Sequence, residues 1–153
     1  MRCNPSRRVL AKRGSIPVAL MFLAACTRSP APAPGHAVDV SLRDFRITPS
    51  RHAATSGVLT FRIQNHAPAT HEFVVFRTDL PPARLPIGSD GLSVDESVLR
   101  DVAEISEVQS GTSETLSVAL RPGHYVLICN LEGHYLGGMH AALDVTGEGP
   151  TGG

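Results

Sequence analysis

The chain has 153 residues, enough for one domain with extensions, and its formal net charge is zero. The charges are segregated, because all 14 acidic residues follow Cys26, where nine arginines oppose them. That part of the chain therefore has a net charge near −5, which excludes the basic surface on which nucleic-acid binding depends.

The first 25 residues have the pattern of an export signal. Five basic residues precede an apolar run, "SIPVALMFLAA", which is shorter than the roughly 20 residues that a membrane-spanning helix needs. Residues 1–25 are therefore predicted to be a signal peptide. Two export routes stay open, since "SRRVLAK" resembles a twin-arginine signal but also fits an ordinary secretory signal with chance arginines.

The signal ends in "LAAC", which resembles a bacterial lipobox whose cysteine receives lipid. Cys26 is accordingly predicted to anchor the protein in the periplasm or on the outer face of a bacterial membrane; the alternative is an uncleaved membrane anchor. Residues 26–36 then form a lipidated Pro/Ala-rich tether. The folded domain is predicted over 37–146, with a flexible Gly-rich tail over 147–153.

The predicted domain has the pattern of an all-β protein. Short runs of alternating apolar residues lie between Gly/Pro turns, which is typical of an antiparallel sandwich of about seven to eight strands. The first run alternates up to Leu42 and then reaches Phe45 and Ile47 with a shift of phase. Tyr125 is interpreted as a structural corner tyrosine. The strands are predicted in "AVDVSLRDFRI", "GVLTFRIQN", "HEFVVFRT", "ETLSVAL", "HYVLIC" and "MHAALDV".

One segment, residues 80–101, is too long for a hairpin loop. Within it Ser93 and Glu96 match a capping box, which predicts a short helix over 94–100. We expect the segment to be an insertion that wraps the sandwich. The acidic residues between 90 and 107 are interpreted as a solvated face, with a docking patch for a basic partner as the alternative.

The richest chemistry lies in "CNLEGHYLGGMH", residues 129–140. Cys3 leaves with the signal and Cys26 takes lipid, so Cys129 cannot form an internal disulfide. A metal that holds it as a thiolate explains a lone cysteine in an oxidising compartment. His134 and Met139 follow with C-x4-H and H-x4-M spacing, and the glycines between them permit a tight loop in which all three side chains converge.

A fourth ligand must come from another part of the chain. His71 is the best candidate because it opens the apolar strand "HEFVVF" and so lies on a rigid element. His66, in the preceding Pro-containing loop, stays as its rival. Two imidazoles and one thiolate with a weak axial thioether form the blue-copper arrangement, so the pattern predicts one type 1 copper.

These motifs together resemble the cupredoxins, small type 1 copper proteins. The resemblance covers residues 38–145 and is carried by "N-x5-HEF", "L-x-PG-x-Y" and "CNLEGHYLGGM". The cysteine loop is similar to those of rusticyanin, sulfocyanin and auracyanin. The resemblance implies a cupredoxin-like Greek-key β-sandwich in which His71, Cys129, His134 and Met139 are the copper ligands.

The chain departs from the cupredoxin pattern after the first histidine. Many cupredoxins have Asn or Ser at that position, which fixes the cysteine loop by hydrogen bonds, whereas this chain has Glu72. Asn65 and Asn130 are both candidates for the supporting role. The sequence leaves open which of them fills it.

The resulting expectation is a monomeric single-copper electron carrier that cycles between Cu(I) and Cu(II). Electrons would cross the exposed edge of His134, with Tyr135, Leu136 and residues 67–68 as an apolar rim. The expected partner is a redox protein such as a cytochrome or a copper oxidase, bound transiently. No nucleic acid is expected to bind, and the only membrane contact is through the lipid on Cys26.

Two other function classes compete with this expectation. A copper-delivery protein that supplies an oxidase could use the same four ligands, but methionine-rich tracts would favour it. The chain has only three methionines, and two of them lie in the predicted signal. An enzyme is not expected, because a copper oxidase or a nitrite reductase needs a second, open copper site and the sequence has no H-x-H pair to build one.

Overall fold

The structure is a computed structural model that describes residues 36–147. The predicted signal peptide, the lipidation of Cys26, the tether up to residue 35 and the tail after residue 147 lie outside the described residues. In the described part of the chain, no helix has the length and apolar character to cross a bilayer.

Within residues 36–147, nine β-strands form two sheets. The four-stranded sheet has the order β2-β1-β4-β7, and the five-stranded sheet has the order β3-β9-β8-β5-β6. Apolar side chains of both sheets share one buried cluster, so the sheets pack as a sandwich and the all-β prediction is confirmed. The strands are β1 (Ala37–Arg43), β2 (Arg46–Pro49), β3 (Ala53–Thr55), β4 (Gly57–Asn65), β5 (His71–Arg77), β6 (Arg100–Val108), β7 (Ser113–Leu120), β8 (Gly123–Ile128) and β9 (His140–Thr146).

The core follows from the period-two pattern of the strands. Alternate residues of β4 are fully buried, and the ring of Phe61 packs against Phe73 of the opposite sheet with centroids 5.3 Å apart. A fully buried side chain of this size contributes roughly 1.5–3 kcal/mol to folding. Other large core side chains that are fully buried include Leu42, Leu59, Ile63, Leu127 and Leu143.

Strand β5 is buried on both faces, as its continuous apolar run predicts. Phe73 and Val75 lie in the core between the sheets, whereas Val74 and Phe76 belong to a second buried cluster. Residues 80–101 supply part of that second cluster and so cover the outer face of the five-stranded sheet. This agrees with the expected insertion that wraps the sandwich.

The short helix predicted over 94–100 is present only as a single 3-10 turn. This 3-10 helix, Glu96–Val98, is capped by the side chain of Asp95, which accepts from the Ser97 N–H at 3.1 Å. Ser93 does not cap it, because its hydroxyl and its N–H both bond to Asp90. Val94 is instead extended and forms a bridge with Ile87.

Two further features of the strands differ from the sequence prediction. The sandwich is not wholly antiparallel, since β1 pairs in parallel with β4 and β3 pairs in parallel with β9. Strand β6 was not predicted, because it is an edge strand whose side chains are mostly exposed or half-buried. A strand of that kind carries little apolar alternation.

The first predicted strand is in fact two strands joined by a tight turn. Arg43 pairs with Arg46, so Asp44 and Phe45 form a two-residue hairpin loop, which we call the 44–45 turn. Phe45 has a φ of 58°, which is unusual for a bulky residue, and its side chain is 56% exposed. The phase shift in the sequence therefore marks a reversal of the chain and not a continued buried strand.

The predicted corner tyrosine lies in β8, just after the turn that joins β7 to β8. Tyr125 is buried, and its hydroxyl donates to the carbonyl oxygen of Arg121 at 2.8 Å. This confirms its structural role. The turn fixes the start of β8, whose other end leads to Cys129.

Candidate metal centre

The candidate ligands come from adjacent strands of the five-stranded sheet. His71 is the first residue of β5, and Cys129 directly follows the last residue of β8. These strands are antiparallel neighbours in which Val74 pairs with Ile128. The start of one strand and the end of the other therefore lie at the same end of the sheet.

A compact loop, residues 130–139, brings the remaining candidates to that end of the sheet, and we call it the metal-binding loop. Backbone hydrogen bonds run from the His134 N–H to Leu131 O and from the Met139 N–H to His134 O. The Cys129 N–H donates to Met139 O at 3.1 Å, which closes the loop. Gly138 has a φ of 116°, a conformation that only glycine adopts easily.

Three donor atoms converge at this end of the sheet. His71 Nδ1 lies 3.2 Å from His134 Nδ1, and Cys129 Sγ lies 3.8 Å and 3.4 Å from these two nitrogens. A triangle with these sides has a circumradius of about 2.0 Å, close to the roughly 2.0–2.3 Å bonds that zinc makes to the same donor types. The three donors thus fit around a single first-row metal ion.

Met139 is the fourth sequence candidate. Its side chain is fully buried in the cluster that also contains Cys129, and its backbone bonds to both Cys129 and His134. The structure therefore brings together His71, Cys129 and His134 as one group that could hold a metal ion, with Met139 beside it. We call these three residues the metal-binding group. The thioether is a soft donor like the thiolate, so this donor set suits copper.

Burial controls the protonation of the donors. It lowers the pKa of the His71 imidazole, and the neighbouring His134 acts in the same direction. Burial also raises the pKa of the Cys129 thiol, although the Glu72 N–H opposes this by donating to Sγ at 3.3 Å. A neutral imidazole offers its lone pair at once, whereas a metal must displace the thiol proton as it binds.

Glu72 also fixes the cysteine loop through its side chain. Its Oε2 accepts from the Asn130 N–H at 3.2 Å. Burial raises the pKa of this carboxyl, and Glu96 adds to the effect. The residue that departs from the usual Asn or Ser therefore still makes the hydrogen bond across the two segments.

The two asparagines have different roles. Asn130 bonds to the N–H and the carbonyl of Val94 and to Glu96, so it ties the insertion to the residue after Cys129. Asn65 is fully buried and bonds to the backbone of Ala67, Ala69 and Val108. It therefore shapes the loop that leads into His71, since Val108 is the strand partner of His71.

Two sequence candidates lie elsewhere. His66, the rival of His71, is exposed and does not belong to the metal-binding group. Tyr135 was predicted in the exposed rim, and this is wrong because it is only 3% exposed. Its hydroxyl donates to Pro82 O and accepts from the Leu85 N–H, both at 2.8 Å, which draws the ring under the insertion.

Sequence reasoning missed the 44–45 turn, which packs on the metal-binding loop. The ring of Phe45 lies edge-on to His134 with centroids 5.9 Å apart. It also fills the space beside Gly137, where a Cβ would collide with it. The carboxylate of Asp44 lies 3.5 Å from His71 Nε2. The only signal in the sequence was the break in alternation before Arg46.

The comparison with protein families decides the identity of the domain. The model of the Sulfocyanin (SoxE) domain matches residues 52–150, which is more than half of the chain. The chain belongs to the sulfocyanin family. It is thus a cupredoxin, and its largely buried His-Cys-His group beside Met139 points to a copper site.

Solved structures agree with the fold of this sulfocyanin-family chain. An auracyanin from the photosynthetic bacterium Roseiflexus castenholzii is 21% identical with a TM-score of 0.52, over 72% of this chain and 97% of that one. Auracyanin B is 21% identical with a TM-score of 0.51, over 78% and 93%. An azurin from the methylotroph Methylomonas sp. strain J is 16% identical with a TM-score of 0.50, over 72% and 97%. No curated protein matches the chain.

Proposed function

We propose that this protein is a single-copper electron carrier, with copper held at a type 1 site by His71, Cys129, His134 and Met139. The triangle of two imidazole nitrogens and one sulfur, of which His71 and Cys129 are buried and His134 is half-buried, carries the proposal. Copper in such a site supplies one-electron chemistry between Cu(I) and Cu(II). The family match supports copper as the metal.

The chain holds its donors rigidly, which suits electron transfer. His71 lies on a strand between two neighbours, and Cys129 is held by the N–H of Glu72 and by its bond to Met139 O. Donors that are fixed before the metal binds move little when its charge changes. A small rearrangement favours fast transfer and makes a carrier a better proposal than an enzyme.

The proposed port for electrons is the ring of His134. This ring is half-buried. The exposed side chain of Phe45 packs edge-on to it, and the exposed Leu136 follows it two residues later in the chain. Such a surface suits a weak, short-lived contact with a redox protein, such as a cytochrome or a copper oxidase. We propose that the carrier is a monomer, exported and anchored by lipid on Cys26, with twin-arginine export as one route.

A copper titration tests the proposal. Cu(II) is added to the purified chain up to one equivalent, and visible absorption and electron paramagnetic resonance are recorded before and after reduction with ascorbate. We expect an intense thiolate-to-copper band, a small parallel copper splitting and reversible bleaching. Tight Cu(I) binding without the band would support copper delivery to an oxidase instead, and no copper binding would reject both functions.

Three variants test the ligands, and two of them, at His71 and His66, form a matched pair. Cys129→Ser should abolish the visible band, because serine cannot supply the thiolate. His71→Ala should abolish or strongly change it, whereas His66→Ala should leave it intact, since His66 is exposed and outside the group. A Cys129→Ser protein as blue as the parent would show that the site is assigned wrongly.

A further inference from the structure

His71 has one ring nitrogen for the metal and one that faces away from it. Its Nδ1 converges with the other donors, so a metal held at Nδ1 leaves the proton of the neutral ring on Nε2. Nε2 is buried, and it has no hydrogen-bond partner among the described residues. A buried donor of this kind is costly and needs a partner.

The carboxylate of Asp44 is placed to be that partner. Its Oδ1 lies 3.5 Å from His71 Nε2, slightly beyond a good hydrogen bond. The Asp44 side chain is about half exposed, so it is free to rotate towards the ring, whereas the ring is fully buried and fixed. A small movement of one side chain therefore completes the contact.

The backbone around Asp44 is also held in place. Phe45 adopts a φ of 58°, which a bulky side chain keeps only where the surroundings enforce it. Its ring packs beside Gly137 and edge-on to His134, and its carbonyl oxygen lies against Gly138. The 44–45 turn is thus locked onto the metal-binding loop in the position that aims Asp44 at His71.

We propose that Asp44 is a positioning residue of the metal centre, which holds His71 through Nε2 and keeps Nδ1 directed at the metal. The inference rests on the proposed copper site for its role in redox tuning, but the contact itself belongs to the metal-free chain. A carboxylate on the outer nitrogen orients a histidine ligand and makes it a stronger donor. Its negative charge also favours Cu(II) over Cu(I).

The test compares three variants. Asp44→Asn keeps an acceptor of the same size and removes the charge, whereas Asp44→Ala removes both. Asp144→Asn is the matched control, since it removes a carboxylate 2.7 Å from the exposed His124, away from the metal-binding group. If Asp44→Asn and Asp144→Asn changed the metal centre equally, the cause would be the general loss of one negative charge and not the contact between Asp44 and His71.

The first measurement uses the metal-free chain. Nitrogen-15 NMR of the imidazoles should show His71 protonated at Nε2, and its exchange with water should rise about tenfold or more in Asp44→Ala but not in Asp144→Asn. The second measurement is competition for Cu(II) against a chelator. Affinity should fall about 10-fold or more in Asp44→Ala, less in Asp44→Asn, and less than about twofold in Asp144→Asn.

The reduction potential provides the third measurement, and it should rise in both Asp44 variants. If Asp44→Ala does not fold, Asp44→Asn carries the test, because a raised potential with an unchanged Asp144→Asn control still requires the Asp44 charge. Equal exchange rates and affinities in Asp44→Ala and Asp144→Asn would overturn the proposal. If the parent binds no copper, the proposed function fails, while the exchange of the His71 proton still decides the role of Asp44.

Discussion

At Gly137 the metal-binding loop leaves no room for a side chain. A Cβ there would collide with the ring of Phe45, yet φ at Gly137 is not positive, so space and not conformation demands glycine. We expect Gly137→Ala to lower the free energy of unfolding by about 1–3 kcal/mol, because the ring or the loop must move. Urea denaturation of the metal-free chain measures this change.

A control and a rescue make that prediction specific. Gly147→Ala introduces the same methyl group where the nearest atom, Cγ of Pro122, is 4.0 Å away, so its effect should stay within about 0.5 kcal/mol. The double variant Gly137→Ala/Phe45→Leu replaces the ring with a smaller side chain, which should recover part of the lost stability. If Gly137→Ala is as harmless as Gly147→Ala, the contact with Phe45 does not fix the loop.

The roles of some residues of the site can be predicted from the sequence, whereas the roles of others cannot. The donors Cys129 and His134 are predictable because few other roles require a thiol and an imidazole at this spacing in a glycine-rich loop. Asp44 and Phe45 are not, because their role depends on a reversal of the chain with a bulky residue at positive φ, which turn preferences disfavour. The supporting contacts of a site are thus harder to predict than its donors.

At the scale of elements, the insertion over 80–101 is fastened to the metal-binding loop by Tyr135. Replacing Tyr135 with Phe removes the bond to Pro82 O and leaves the buried N–H of Leu85 without its acceptor. We expect the free energy of unfolding to fall by about 1–3 kcal/mol. Amide hydrogen exchange should also show faster opening at Leu85 than in the parent.

Tyr125→Phe is the matched control for that change. It removes one hydrogen bond, to the carbonyl oxygen of Arg121 in the corner between β7 and β8. The expected loss is about 0.5–1.5 kcal/mol, with no local effect at Leu85. Equal exchange at Leu85 in the two variants would mean that Tyr135 does not hold the insertion.

The same insertion shows why some secondary-structure elements cannot be predicted from the sequence. Strands such as β4 are predictable because every second side chain is buried. The capping box at Ser93 and Glu96 suggested a helix, but Asp90 competes for the Ser93 hydroxyl and the chain stays extended. Local signals fail here because tertiary contacts to Asn130 and Tyr135 decide the backbone.

At the scale of the whole molecule, both sheets contribute residues to the metal-binding end of the sandwich. The candidate donors are borne by the five-stranded sheet and its loop, whereas the 44–45 turn belongs to the four-stranded sheet. Asp44 and Phe45 reach across to His71 and to the loop, so the site needs the complete sandwich. Binding of a metal should therefore stabilise the domain as a unit.

Copper should accordingly raise the thermal stability of the whole chain. A ligand that binds only the folded state adds about 2.7 kcal/mol when its free concentration is 100 times Kd, which corresponds to a shift of several degrees in Tm. We expect this shift in the parent and in His66→Ala, and its loss in Cys129→Ser, when unfolding is followed by circular dichroism with and without copper. An equal shift in Cys129→Ser would mean that copper stabilises the fold from a different site, and the triangle of two imidazole nitrogens and one sulfur would no longer be its binding place.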